Sequence, residues 1–172
     1  MISGNGVKKV TLPQDKRGKM PDPPLNLMEH LPFQIGMLTN MIRQVTSDVY
    51  VRESGLSSRE WRVLGMLGCN GPMMPAQVAA DTGMDRATIT RAVSRLEKLG
   101  YVFTGSDDQD RRRKVLYLTQ KGATTCEDVR PIMDAKGQAF EDVLTKQELK
   151  YYYQIMAKLQ AKAKQMLEEA DD

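Results

Sequence analysis

The sequence predicts a mainly α-helical chain carrying one small β-hairpin, and three observations lead there. Apolar residues recur at helical spacing over most of the chain. Two short alternating stretches, Tyr101–Thr104 and Lys114–Leu118, flank a polar run at 105–113. Glycine or proline punctuates most of the periodic segments.

Taken in order, residues 1–24 are rich in Gly, Lys and Pro without apolar period, and Pro21, Pro23 and Pro24 forbid helix before about residue 25. They read as a disordered arm. A helix is expected from Leu25 to about Glu53, with Phe33, Met37, Met41 and Val45 at four-residue steps and Gly55 as its stop. Ser57-Ser58-Arg59-Glu60 is a capping box that opens a helix carrying Trp61, Leu64 and Leu67. Asn70-Gly71-Pro72 ends it, and Met73-Met74 is short enough for a strand stub. Pro75 suits the first turn of a two-turn helix over 75–82 with Val78 and Ala79 inward. Gly83 offers a left-handed terminator and Asp85 a cap for the next helix, about Arg86 to Leu99. Two helices joined by so short a Gly-containing turn match helix-turn-helix spacing. After the hairpin, Thr119 caps a long helix that Pro131 is expected to kink or interrupt. A second box, Thr145-Lys146-Gln147-Glu148, starts the last helix.

Composition narrows the function classes. With 41% apolar and 27% charged residues the 172-residue chain is an ordinary soluble globular protein, one compact domain plus tails or an appendage. No apolar run approaches the roughly 18–20 residues that span a bilayer, and the start lacks a secretory h-region, so a cytoplasmic chain without membrane attachment is expected. Cys69 and Cys126 form no C-x-x-C pair, and a single histidine, His30, leaves a metal site short of ligands. Both cysteines read as small buried hydrophobes. Neither a P-loop nor a nucleophile elbow nor a Cys/His pair is present, so no enzyme, metal or cofactor is expected. The formal charge of +3 resides wholly in residues 1–24, and the remainder balances to zero. Attraction to a polyanion must therefore come from local clustering.

That clustering is found on residues 86–99. On a helical wheel Ile89, Ala92, Val93, Leu96 and Leu99 share one side. Ala87, Thr90, Arg91, Ser94 and Lys98 point the other way, with Thr88 and Arg95 at the margin. Any surface helix has a polar face. This one offers Arg for guanine edges, hydroxyls for bases or phosphates, and a small Ala where a thymine methyl can approach. A cationic hairpin tip follows directly: Arg111, Arg112, Arg113 and Lys114, preceded by Asp107, Asp108 and Asp110. Four consecutive cations repel one another unless an anion is near, and a projecting Arg suits a narrow minor groove.

At these residues the chain resembles the MarR family of winged helix-turn-helix regulators, from about Leu31 to Leu167. The likeness lies in Pro75–Gly100, ending in Ser94-Arg95-Leu96-Glu97-Lys98-Leu99-Gly100, and in a wing of approximate form D-x-R-D-x-R-x-x-x-L-x-L-T-x-x-G. Asp107, Asp110, Arg112, Leu116, Leu118, Thr119 and Gly122 fall in register, while Gln109 stands where an Arg is usual. The resemblance implies a repressor-type transcriptional regulator: a homodimer on a pseudo-palindromic double-stranded operator, with Arg112 at the minor groove. It also implies a small organic effector, aromatic or anionic, between dimerisation and DNA-binding parts. Arg43 or Arg62 could meet an acidic effector, or each could equally form a surface ion pair. The organisation expected is a basic arm at 1–24, an N-terminal dimerisation helix at 25–55, a winged helix-turn-helix DNA-binding domain at 56–120, and C-terminal dimerisation helices at 121–172. Dimerisation has separate support, because the stripes Phe33 to Val45 and Tyr152 to Leu167 lie outside the wing domain and need cover. Two alternatives stand beside this: a winged-helix module for protein–protein contact, which would favour apolar or acidic groups on the outer face of 86–98, and a regulator that senses redox state through Cys69 or Cys126.

Overall fold

The computed structural model describes residues 21–106 and 113–171. The chain divides into two units, the first ending at Asn40 and the second beginning at Met41. A 3-10 turn, Leu27–Glu29, precedes α1 (Leu31–Ser54). Then come α2 (Ser58–Asn70), α3 (Pro75–Thr82), α4 (Arg86–Lys98), β1 (Val102–Ser106), β2 (Lys114–Leu118), α5 (Gln120–Glu141) and α6 (Lys146–Asp171). The fold is mainly helical with one hairpin, as the periodicities predict. Among the described residues no helix is long and apolar enough to cross a membrane.

In the first unit the helix begins six residues later than expected. Pro32 lacks the N–H that a helix begun at Leu25 would direct to the Met28 carbonyl, and it disfavours helical geometry at Leu31. The Met28 oxygen is instead taken by Gln34 Nε2 at 2.6 Å, and α1 starts with Pro32 in its first turn. Leu31, Phe33, Ile35, Met37 and Leu38 all remain about two-fifths or more exposed.

The second unit is built on local caps that hold short helices against one core. The Ser57 box is closed: Ser57 N donates to Glu60 Oε2 at 2.7 Å and Glu60 N to Ser57 Oγ at 3.4 Å. From α2, Val63, Leu64 and Leu67 enter a core shared with Val78 of α3, Ile89, Ala92, Val93 and Leu96 of α4, and Leu116 of β2. Gly83 stands at φ 67°, a left-handed turn that only a residue without Cβ adopts at little cost, and so lets α3 and α4 follow so closely. β1 and β2 pair antiparallel from Val102 with Leu118 to Ser106 with Lys114. The Met73 stub adds a third rung: Met73 and Leu116 exchange both backbone hydrogen bonds, at 3.2 and 2.9 Å.

The exit from the hairpin explains two residues of the wing pattern. Thr119 Oγ1 donates toward the Gly100 and Tyr101 carbonyls, at 2.7 and 3.1 Å, and accepts the Gly122 amide at 3.1 Å as the cap of α5. A Cβ on Gly122 would lie 2.1 Å from the Tyr101 carbonyl oxygen, so α5 can pack here only through glycine. Cys126 and Val129 are buried one and two turns on. Pro131 does not interrupt α5, which continues to Glu141. Proline removes one backbone bond, and the flanking turns retain theirs.

The expectation for the cysteines holds for one of them. Cys126 is buried, its Sγ donating to the Leu64 carbonyl at 3.7 Å, whereas Cys69, near the end of α2, is exposed. The buried face of α2 is set by Val63, Leu64 and Leu67, and Cys69 falls off that face. Burial pushes the Cys126 thiol above its ordinary pKa, reinforced by nearby Cys69 and opposed by Arg130. A maleimide at neutral pH should therefore modify Cys69 quickly and Cys126 only on unfolding. Mass spectrometry of a labelling time course checks this, and equal rates at both thiols would contradict it.

Candidate nucleic-acid interface

The face of α4 opposite its core side is assembled from the cap outward. Asp85 Oδ1 accepts the Thr88 amide and Oδ2 its hydroxyl, both at 2.7 Å. These bonds, the hydroxyl first and the amide second, hold the Asp85 carboxyl below its usual pKa. A depressed carboxylate pKa means that the cap is intact above the ordinary carboxylate range and is lost only as pH falls through the lowered value. Thr88 Oγ1 then accepts Arg91 Nη2 at 3.1 Å.

Thr88 is thus a correction. The wheel puts it at the margin of the outer face as a base-contacting candidate, yet it is 9% exposed and its hydroxyl is committed to Asp85 and Arg91. Its place in the structure is to orient Arg91. No pattern within the helix announces this, because burial at that angle depends on what packs there.

Ala87, Thr90, Arg91, Ser94, Arg95 and Lys98 are all exposed, as the wheel places them. Thr90 donates its hydroxyl hydrogen to the Arg86 carbonyl at 2.9 Å, so it presents a methyl group and acceptor lone pairs outward. Ser94, Arg95 and Lys98 make no side-chain hydrogen bond among the described residues. Arg95 and Lys98, in the last turn, also complement the negative end of the helix dipole. The acid on this helix, Glu97, lies toward the hairpin and accepts the Thr104 hydroxyl, which keeps its charge off the face. Of the four wing cations, Arg111 and Arg112 lie outside the described residues. Arg113 is exposed, and Lys114 opens β2 opposite Ser106.

Two cavities adjoin these elements within the second unit. One of about 240 Å³ lies between α2 and α5, walled by Trp61, Cys69, Cys126, Arg130, Met133 and Asp134. Another of about 470 Å³ brings together Arg43 and Arg62, the two arginines singled out from sequence, with Arg59, Asp85 and Thr88.

A capped pair of short helices, the second with a cationic hydroxyl-bearing outer face, followed at once by a hairpin, defines a winged helix-turn-helix protein. Residues 54–113 match the MarR family. FarR, an HTH-type transcriptional regulator of Neisseria gonorrhoeae, is 27% identical over 109 residues, 63% of this chain and 75% of that protein. A MarR/EmrR family regulator from Acinetobacter sp. ADP1 superposes with a TM-score of 0.76 at 23% identity, covering 82% of this chain and 99% of that one. CouR from Rhodococcus jostii RHA1, solved bound to p-coumaroyl-CoA, superposes at 0.70 and 23% identity, covering 78% and 94%. Over residues 54–113 the chain is similar to the MarR family of transcriptional regulators.

Proposed function

We propose that this regulator binds a pseudo-palindromic double-stranded operator as a homodimer, lays α4 in the major groove and its wing in the minor groove, and represses transcription until a small organic effector loosens it. The observation that carries the reading is the outer face of α4. Its aliphatic side is consumed by the core while Ala87, Thr90, Arg91, Ser94, Arg95 and Lys98 stay exposed. Arginine there reads guanine, the hydroxyls and methyls serve bases or phosphates, and Arg111 to Lys114 supply wing charge. An interaction module for proteins would need apolar or acidic groups on that face, and they are missing from it.

Dimerisation is supported by the apolar surface left over. Phe33, Met41, Val45, Phe140, Tyr152, Ile155, Met166 and Leu167 are each about two-fifths or more exposed, a burden that monomeric proteins rarely carry. A two-fold partner both covers such surface and sets two α4 helices against half-sites one helical turn apart, roughly 34 Å. For the effector, the α2–α5 cavity offers a Trp61 and Met133 wall with Arg130 to meet a carboxylate. Its size is below the roughly 300 Å³ at which pockets for drug-sized ligands begin, so it suits a single-ring aromatic acid. CouR, solved with an aromatic acyl thioester, supports an effector of aromatic character.

Fluorescence anisotropy with fragments flanking the protein's own gene tests the DNA reading. Specific binding should weaken by roughly 10³–10⁵-fold between about 50 and 200 mM salt, the signature of six to ten phosphate contacts. Failure to bind any fragment at low salt, with or without aromatic acids, would sink it.

A further inference from the structure

The β-hairpin has two unlike faces. Val102, Leu116 and Leu118 turn inward to the helices, so Phe103 and Tyr117, which alternate with them and pair across the strands, stand on the outer face. Their rings stack there, with centroids 5.1 Å apart and planes 13° apart. Phe103 is 49% exposed and Tyr117 half-buried. The Tyr117 ring also lies over Gly105. A Cβ at Gly105 would stand 3.0 Å from Tyr117 Cε2 and 3.4 Å from Cδ2, so the ring comes this close because position 105 has no side chain. The Tyr117 hydroxyl donates to the Ser106 carbonyl at 3.5 Å. One aromatic side chain of β2 thus meets β1 at Phe103, Gly105 and Ser106. The body of the protein grips the hairpin at the rung of Thr104 and Leu116, through Glu97 on the first and Met73 on the second. Beyond that rung come Gly105 with Val115 and Ser106 with Lys114. A two-stranded ladder is marginal by itself, and the aromatic strut lies across this outer part of it.

We propose that Phe103 and Tyr117 are positioning residues of the wing: their stack stiffens its outer rungs and so holds Arg113 and Lys114 in place against DNA phosphates. The inference rests on the duplex-binding reading above. A cation on a loose finger must surrender its conformational freedom at each encounter with DNA, whereas one on a braced strand has surrendered it on folding. The rings act through these cations and contact no nucleotide themselves. Phosphate contacts set register and affinity without reading sequence. The aromatic pair therefore governs overall affinity and its salt dependence, and leaves single-base discrimination to α4.

The test is a salt series of anisotropy titrations, using the full chain with fragments flanking its gene and with an unrelated duplex. Tyr117→Thr keeps a β-branched strand residue and removes the ring. It should weaken binding to every duplex by roughly 2–10-fold, the ordering cost of one immobilised side chain. Arg113→Ala/Lys114→Ala should flatten the logarithmic salt dependence of the wild-type protein by about 2, one for each phosphate contact. In the Tyr117→Thr background the same pair should flatten it by less than about 1. Tyr117→Phe preserves the stack and should bind as wild type does. Phe103→Thr removes the other ring, should repeat the Tyr117→Thr result, and carries the test if Tyr117→Thr does not fold by circular dichroism. If neither ring can be removed from a folded protein, the rings serve the fold and the positioning role is overturned. Equal effects of Arg113→Ala/Lys114→Ala in both backgrounds, or wild-type affinity without the rings, overturn it too. So does a loss of single-base discrimination in Tyr117→Thr, which would place the ring at the bases. Wild-type protein that binds no duplex overturns the operator reading and this inference together, whereas duplex binding with independent losses overturns this inference alone.

Discussion

Gly122→Ala is expected to destabilise the protein by about 3 kcal/mol, the upper end of the usual cost of overpacking. In a domain of this size that lowers the melting temperature by roughly 6–12 °C. The added Cβ would meet the Tyr101 carbonyl oxygen at 2.1 Å and Leu118 Cδ2 at 3.2 Å. The carbonyl cannot step aside, because it accepts the Thr119 amide at 3.0 Å and the Thr119 hydroxyl at 3.1 Å. Tyr101 is itself buried and tied by its hydroxyl to the Ser54 carbonyl at 3.0 Å. The start of α5 must therefore lift off the hairpin, and the Thr119 cap opens with it. Gly137 in the same helix is the control. A Cβ there meets nothing within 4 Å, so Gly137→Ala should gain about 0.5–1 kcal/mol from helix propensity alone. Thermal melts at one protein concentration compare the two, and a Gly122→Ala protein that melts with wild type would refute the close approach.

Arg91→Ala should cost about 1–3 kcal/mol of discrimination, roughly 5–150-fold, against substitution of a single operator base pair. Affinity for unrelated DNA should change far less. The reason is pre-organisation as much as charge: the guanidinium is held by Thr88 Oγ1, and Thr88 is held by Asp85 through two bonds. Thr88→Val keeps the shape and removes the acceptor, leaving Arg91 present but free to rotate. It should lose part of the discrimination that Arg91→Ala loses. Arg112→Ala should behave in the opposite sense, weakening all duplexes alike and flattening the salt dependence. Anisotropy titrations against an operator and its single-base variants separate these outcomes. A Thr88→Val protein as selective as wild type would show that the relay orients nothing that matters for DNA.

How far the site was legible depended on the distance over which each signal acts. Ser57 with Glu60, Asp85 with Thr88, and Thr145 with Glu148 are contacts three residues apart, and their chemistry can be read from neighbouring letters. The same holds for the amphipathic division of α4, which leaves its outer residues exposed where the wheel puts them. The late start of α1 is equally local, since Pro32 forbids the turn before it.

The amino-acid order by itself determined the capped helix starts of α2 to α6, the hairpin and the basic, hydroxyl-rich side of α4, because caps, turns and periodicity act within one or two turns of chain. Only the tertiary structure decided that Thr88 turns inward to steady Arg91, that Cys69 is exposed while Cys126 is covered, and that Gly122 must clear the Tyr101 carbonyl. It likewise decided that arginines from two helices share one cavity beside the start of α4. Each of these follows from which surfaces meet across the core, and such meetings join residues far apart in the chain, where no short-range rule reaches.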